Sequence, residues 1–238
     1  MNKQDAPSEK SAAEIASFPA PADADAMLLE KRRAGEALRR IIDGLITKHP
    51  GEEEMSSLAT RLEALADAFS SMPEKTSRSG FANRMTAEDV RDFIEFSPLT
   101  GLSNPIAPPI QIWVEDGKAL GRVHFGKGFE GAPGLVHGGH VAAAFDELLG
   151  FVQGFSKRPG MTGTLTITYR APTPLLTDLR LMGTYDGMEG RKIFTSGWLY
   201  AGDLLLAEAK GLFIALTDEQ HAAVLRAHGE TEQRRLGQ

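Results

Sequence analysis

Apolar residues recur along this chain with two different periods. Between Ala24 and Lys48, Leu38, Ile41, Ile42, Leu45 and Ile46 fall three and four residues apart, the spacing of one helix face. His49-Pro50-Gly51 ends that pattern. A second stripe, Leu58, Leu62, Leu65 and Phe69, follows Glu52, Glu53 and Glu54, which suit the positive end of a helix dipole, and Met72-Pro73 closes it. Two stripes joined by a short turn predict a helical hairpin. Thr86 to Glu95 opens with a capping threonine and acids, so it predicts a short helix. Ser97 to Pro109 reads as extended loop, because each proline removes a donor and restricts its predecessor.

The period then changes to two. Ile110 to Val114 and Lys118 to Phe125 predict a hairpin across Asp116-Gly117, a strong turn signal. The mostly apolar Gly134 to Gly150 predicts a long helix. Beyond it, Leu165, Ile167 and Tyr169 alternate with Thr164, Thr166 and Thr168 in a strand over Thr162 to Arg170. Further strands are expected over Leu179 to Tyr185, Lys192 to Tyr200 and Leu204 to Leu216, with turns at Asp186-Gly187 or Glu189-Gly190 and at Gly202-Asp203. Two strands, one helix and four strands with short turns describe an α+β fold. Its antiparallel sheet wraps a central helix of about 18 residues. Thr217 should cap a C-terminal helix.

This organisation divides the chain into a tail over 1–24, too poor in large apolar residues to order itself, a helical extension and linker over 25–85, the main domain over 86–216, and a C-terminal helix and tail over 217–238. Composition narrows the function. At 238 residues and 42% hydrophobic content the chain can bury a sizeable core. It has no cysteine, so a disulfide framework, a thiolate metal site and a catalytic thiol are all excluded. A net charge of -6 with scattered basic residues argues against nucleic acid as partner. No apolar run reaches membrane-spanning length, and Met1 to Pro7 lacks a secretory apolar core. A soluble, cytoplasmic protein is expected.

Residues placed at about 100° per position sort the central helix into faces. Val141, Phe145, Leu148, Val152 and Phe155 form the stripe that should pack on the sheet. Gly139, Ala143, Asp146 and Gly150 form a face of small residues with one carboxylate among them. Glu147 lies farther round, beside His140, where a solvated or ion-paired role is expected. The first-turn N–H groups have no partner within the helix, so the Gly138-Gly139 entry offers donors to an oxygen that gains charge. Gly139 and Asp146 are seven residues apart, or roughly 10 Å along the axis. Reacting atoms must approach to about 3 to 3.5 Å. The spacing therefore predicts a homodimer in which each Asp146 serves the Gly139 of its neighbour.

Gly134-Leu-Val-His-Gly-Gly139 followed by Asp146, the strand Leu165-Thr-Ile-Thr-Tyr-Arg-Ala-Pro-Thr-Pro-Leu175, Glu189-Gly-Arg-Lys192 and the upstream Asn104-Pro105 together resemble the PaaI-like acyl-CoA thioesterases of the hotdog fold. The resemblance covers roughly residues 95 to 216. It implies the hotdog fold with an N-terminal helical extension, and sites at the interface of a homodimer or dimer of dimers. It also implies an acyl-CoA substrate, with coenzyme A entering as part of that substrate and no separate cofactor. A metal is not expected, because His137, His140 and Asp146 lie on different helix faces and converge poorly. Asp146 is then the catalytic carboxylate, acting as general base or as nucleophile. Gly139 N–H is the oxyanion donor, His137 and Gly138 complete the loop, and Thr162 positions water. Asn104, Arg170, Arg191 and Lys192 are the candidate coenzyme A contacts, the cations by meeting phosphates. A hotdog hydratase, or an acyl-CoA sensor without catalysis, is the alternative.

Overall fold

A computed structural model describes residues 26–73, 94–217, 219, 220 and 223. In chain order, its elements are helices α1 (Ala26–Thr47) and α2 (Glu52–Ser70), strands β1 (Gln111–Glu115) and β2 (Lys118–His124), helix α3 (Gly138–Gln153), and strands β3 (Gly160–Tyr169), β4 (Asp178–Glu189), β5 (Lys192–Ala201) and β6 (Leu204–Ala215). All pairings are antiparallel and give one six-stranded sheet of order β1-β2-β4-β5-β6-β3. Asp116 (φ 49°) and Gly117 (φ 72°) make the β1–β2 turn, the left-handed pair that a two-residue hairpin requires. Of the two turns offered for the β4–β5 junction, Gly190 takes it with φ 60°. Asp186-Gly187 is instead a bulge inside β4, where the register shifts between Tyr185 and Gly187.

Helix α3 packs across this sheet, in contact with β2, β3, β4, β5 and β6. Val141, Phe145, Leu148 and Val152 of the expected stripe are all buried, Ala144 and Leu149 widen it, and Phe155, past the helix end, is half-buried against the core. The sheet makes room for the helix with a row of small residues across four strands, Ala119 opposite Gly183, Gly183 opposite Gly197, and Gly197 opposite Ala209. A Cβ at Gly183 would sit 2.8 Å from Val152 Cγ2, and one at Gly197 would sit 3.1 Å from Leu149 Cδ2. These glycines therefore serve close approach.

Helix α1 clasps the irregular segment 94–110. Arg32 pairs with Glu95, and Arg39 donates to the carbonyl oxygens of Leu102 and Asn104, both at 3.0 Å. Gly35 is the crossing point, since a Cβ there would meet Leu102 O at 2.9 Å. Helix α2 buries none of its residues, and Leu58, Leu65 and Phe69 of its stripe are exposed. The helix expected over Thr86 to Glu95 lies outside the described residues except for Ile94 and Glu95. The 1–24 tail and most of 217–238 also lie outside them, although Thr217 Oγ1 does accept from the Gln220 N–H at 3.2 Å.

Candidate active site on the central helix

The approach to α3 is a braced loop. His137 N–H donates to Phe129 O at 2.9 Å and Val136 N–H to Thr173 O at 2.9 Å. A Cβ at Gly131 would sit 2.8 Å from His137 Cα, so the chain fits there only as glycine. Gly134 turns at φ 76° and donates its N–H to Glu130 Oε1 at 2.6 Å. That bond, followed by Lys127, holds the Glu130 carboxyl below its usual range. His137 then caps α3, its Nδ1 accepting from the Gly139 N–H at 3.0 Å. An accepting Nδ1 leaves the proton on Nε2 in the neutral ring.

This cap redistributes the donors. The N–H assigned from the sequence to the oxyanion, that of Gly139, is occupied by His137. Those of His140 and Val141 bond His137 O. Gly138 keeps the one N–H of the first turn that no group among the described residues accepts, as expected where a helix start leaves donors unsatisfied. Its carbonyl oxygen accepts from Tyr169 Oη at 2.9 Å, which fixes the peptide from β3. In the sequence Tyr169 is only one of the alternating residues of its strand, and nothing in that alternation marks it as a brace for the loop. His140 stacks edge-on to Phe129, with centroids 5.0 Å apart. Burial, aided by the neighbouring His137, lowers its pKa. Among the described residues no group of three metal-binding side chains forms.

Two turns further along α3, Asp146 Oδ1 accepts from Thr162 Oγ1 at 3.0 Å. A bulge makes this contact possible. Thr162 pairs with Phe213 and Thr164 with Leu212, so Gly163 is the extra residue. One extra residue reverses which face the following side chains take. Thr162 thereby shares the helix side with Phe213, while Thr164 and Thr166 face outward. Both Asp146 and Thr162 are exposed in the single chain, as is most of edge strand β3.

Glu147 departs from the expected solvated role. It is half-buried and accepts from Thr100 Oγ1 at 3.3 Å and Ser97 Oγ at 3.4 Å. Burial raises its pKa, the two hydroxyls oppose the rise, and Asp146 adds to it. Asp146, Glu147 and Thr162 line a common cavity of about 540 Å³. The remaining candidates lie elsewhere. Arg170 pairs with Glu208, and Arg191 donates to Ala215 O at 2.9 Å and Gln220 Oε1 at 2.8 Å. Lys192 is exposed at the start of β5. Asn104 braces its own loop, donating to Phe96 O at 3.0 Å and accepting from the Ile106 N–H at 3.1 Å.

A six-stranded antiparallel sheet wrapped on one long helix is the hotdog fold, and this chain resembles proteins named as acyl-coenzyme A thioesterases or as members of the thioesterase superfamily. A crystal structure of a thioesterase superfamily protein is 29% identical and superposes with a TM-score of 0.65 over 82% of this chain and 97% of its own. The acyl-coenzyme A thioesterases THEM4 of Mus musculus and Bos taurus are each 39% identical over 93 residues, 38% of this chain. Those residues make up 40% and 38% of the two relatives, so the chain matches well under half of their length. No family model matches the chain. Among the described residues, no helix is long and apolar enough to cross a membrane.

Proposed function

We propose that this protein is an acyl-CoA thioesterase that works as a homodimer, with Asp146 as its catalytic carboxylate. The observation that carries the reading is the Thr162–Asp146 hydrogen bond on the small-residue face of α3. Thr162 holds one carboxylate oxygen and leaves the other to act. Water adds to the thioester carbonyl carbon as Asp146 removes its proton, or Asp146 itself attacks and water cleaves the resulting anhydride. Either way the C–S bond breaks and coenzyme A leaves as the thiol.

The oxyanion formed on the way needs a donor. Gly138 N–H is the best placed, because His137 occupies its neighbour and a helix start adds a favourable dipole. Eight residues separate Gly138 from Asp146, roughly 12 Å along one helix, so the two act together only across a two-fold axis. Gly139, Ala142, Ala143, Asp146 and Gly150 are exposed or half-buried on one face of α3, and β3 is a long edge strand beside them. An unpaired edge invites pairing with another chain, and we assign that role to a second copy of this one. His137 positions the loop. Arg191 supports the C-terminal cap, and Lys192 is the cation most available to a phosphate.

The test is thiol release from a panel of acyl-CoAs by the full chain. Hydrolysis is expected, and the reading fails if the protein binds acyl-CoA without turning over any chain length. For the shared site, co-expressed Asp146→Asn and Gly138→Pro chains should recover part of the activity that each lacks alone. Absence of recovery in verified heterodimers rejects the two-chain site.

A further inference from the structure

The cavity beside Asp146 extends beyond the hotdog sheet, because α1 supplies part of its wall. Leu102, Ile110, Ile112, Phe151, Met161 and Phe213 make its lining mostly apolar, and Arg32 and Glu95 line it as well. A volume of about 540 Å³ falls within the range of small-molecule sites. Arg32 reaches Glu95 through two bonds of 2.8 Å, from Nε and Nη2, and Ser103 Oγ donates to the same carboxylate at 2.6 Å. Glu95 is only 4% exposed and Arg32 17%. Separating a desolvated pair strands a charge at high cost, so this part of the wall does not yield to an apolar chain. Arg39 and the Gly35 contact with Leu102 hold α1 against the segment that carries Glu95.

Resting on the thioesterase reading, we propose that the acyl chain occupies this cavity and that α1, through the Arg32–Glu95 pair, sets the longest chain the site accepts. Each methylene that finds apolar wall should raise kcat/KM about fourfold. The gain ends where the chain meets the ion pair, since further carbons would have to displace it. The N-terminal helix is thereby a specificity element of the substrate site.

Binding and turnover test this separately. The chain contains no cysteine, so Ile94→Cys places a single thiol in the cavity wall at a 52% exposed position and leaves the ion pair intact. Alkylation of that thiol in the full-length protein is timed with coenzyme A and with non-hydrolysable acyl-CoA thioethers of increasing length. We expect coenzyme A to give no protection and the longer thioethers to slow alkylation about tenfold. Equal protection by coenzyme A would put the pantetheine arm in the cavity and overturn the proposal. Absence of protection by every thioether overturns it too, even in an enzyme that hydrolyses acyl-CoA normally. In folded Arg32→Ala protein, kcat/KM for a chain two carbons past the wild-type limit, divided by that for one below it, should rise about tenfold. An unchanged ratio also overturns the proposal. If Arg32→Ala does not fold, the double variant Arg32→Met with Glu95→Gln, which removes both charges and strands neither, is measured for the same ratio, with the same result overturning the proposal.

Discussion

Thr162 Oγ1 donates to Asp146 Oδ1 at 3.0 Å, from an edge strand to the central helix, and a single inserted residue, Gly163, turns the threonine toward that helix. In the proposed reaction the two side chains have different tasks, so their variants should separate. Asp146→Asn should lower kcat by about a hundredfold or more, a typical size for losing acid–base catalysis. Thr162→Ala keeps the carboxylate and loses only its anchor, so a fall of about tenfold is expected, in line with a net hydrogen bond to a charged group. Thiol release under saturating acyl-CoA measures both, and equal losses would show that Thr162 does more than orient.

Gly138 permits an unusually clean deletion of one N–H. Proline is tolerated at the first helical position, where its missing N–H has no helical partner. The preceding His137 already has φ -59° and ψ 131°, the extended region that a following proline requires. Gly138→Pro should therefore fold, keep KM near wild type and lose about a hundredfold in kcat, the scale for one oxyanion donor. Normal turnover in this variant would return the oxyanion to the Gly139 N–H or to another group.

Much of this architecture is written locally. Period-two and period-3.6 patterns gave the order of strands and helix because half-buried elements must repeat apolar positions at their own pitch. The small face of α3 was likewise readable, since Gly139, Ala143, Asp146 and Gly150 lie three, four and seven residues apart. What was not readable depends on partners distant in sequence or on a side-chain choice. Strict alternation places Thr162 with Thr164 on the outer face, and only Gly163 within the strand hinted at the bulge. Glu147 is drawn from solvent by hydrogen bonds from Ser97 and Thr100, which come 50 and 47 residues earlier. The availability of Gly138 rather than Gly139 rests on one rotamer of His137.

The groove for α3 gives a packing prediction with an internal control. A Cβ at Gly183 would press within 2.8 Å of Val152 Cγ2 and 3.2 Å of Leu148 Cγ, whereas one at Gly44 on α1 meets nothing within 4 Å. Gly183→Ala should destabilise the protein by about 1 to 3 kcal/mol through overpacking. Gly44→Ala should be neutral or stabilise by up to about 1 kcal/mol, the helix-propensity difference. Urea melts of the two variants beside wild type test the opposite signs, and a stable Gly183→Ala protein would mean that the sheet–helix spacing relaxes freely.

Glu147 gives the stability of the fold a pH signature of its own. Burial raises its folded-state pKa above the ordinary 4.5, so the folded protein holds this proton at pH values where the unfolded chain has released it. Stability then falls as pH rises through the interval between the two values, because there the folded state binds more protons. Below the ordinary value the contribution is fully present; above the raised value it has been lost. Glu147→Gln keeps an acceptor for Ser97 and Thr100 and removes the titration. Relative to wild type, the variant should therefore gain stability steadily as pH is raised from about 4.5, until the gain levels off above the folded-state pKa. Thermal melts of both proteins across that range measure the difference directly. A difference that does not change with pH would mean that Glu147 is not shielded from water as its contacts with Ser97 and Thr100 indicate.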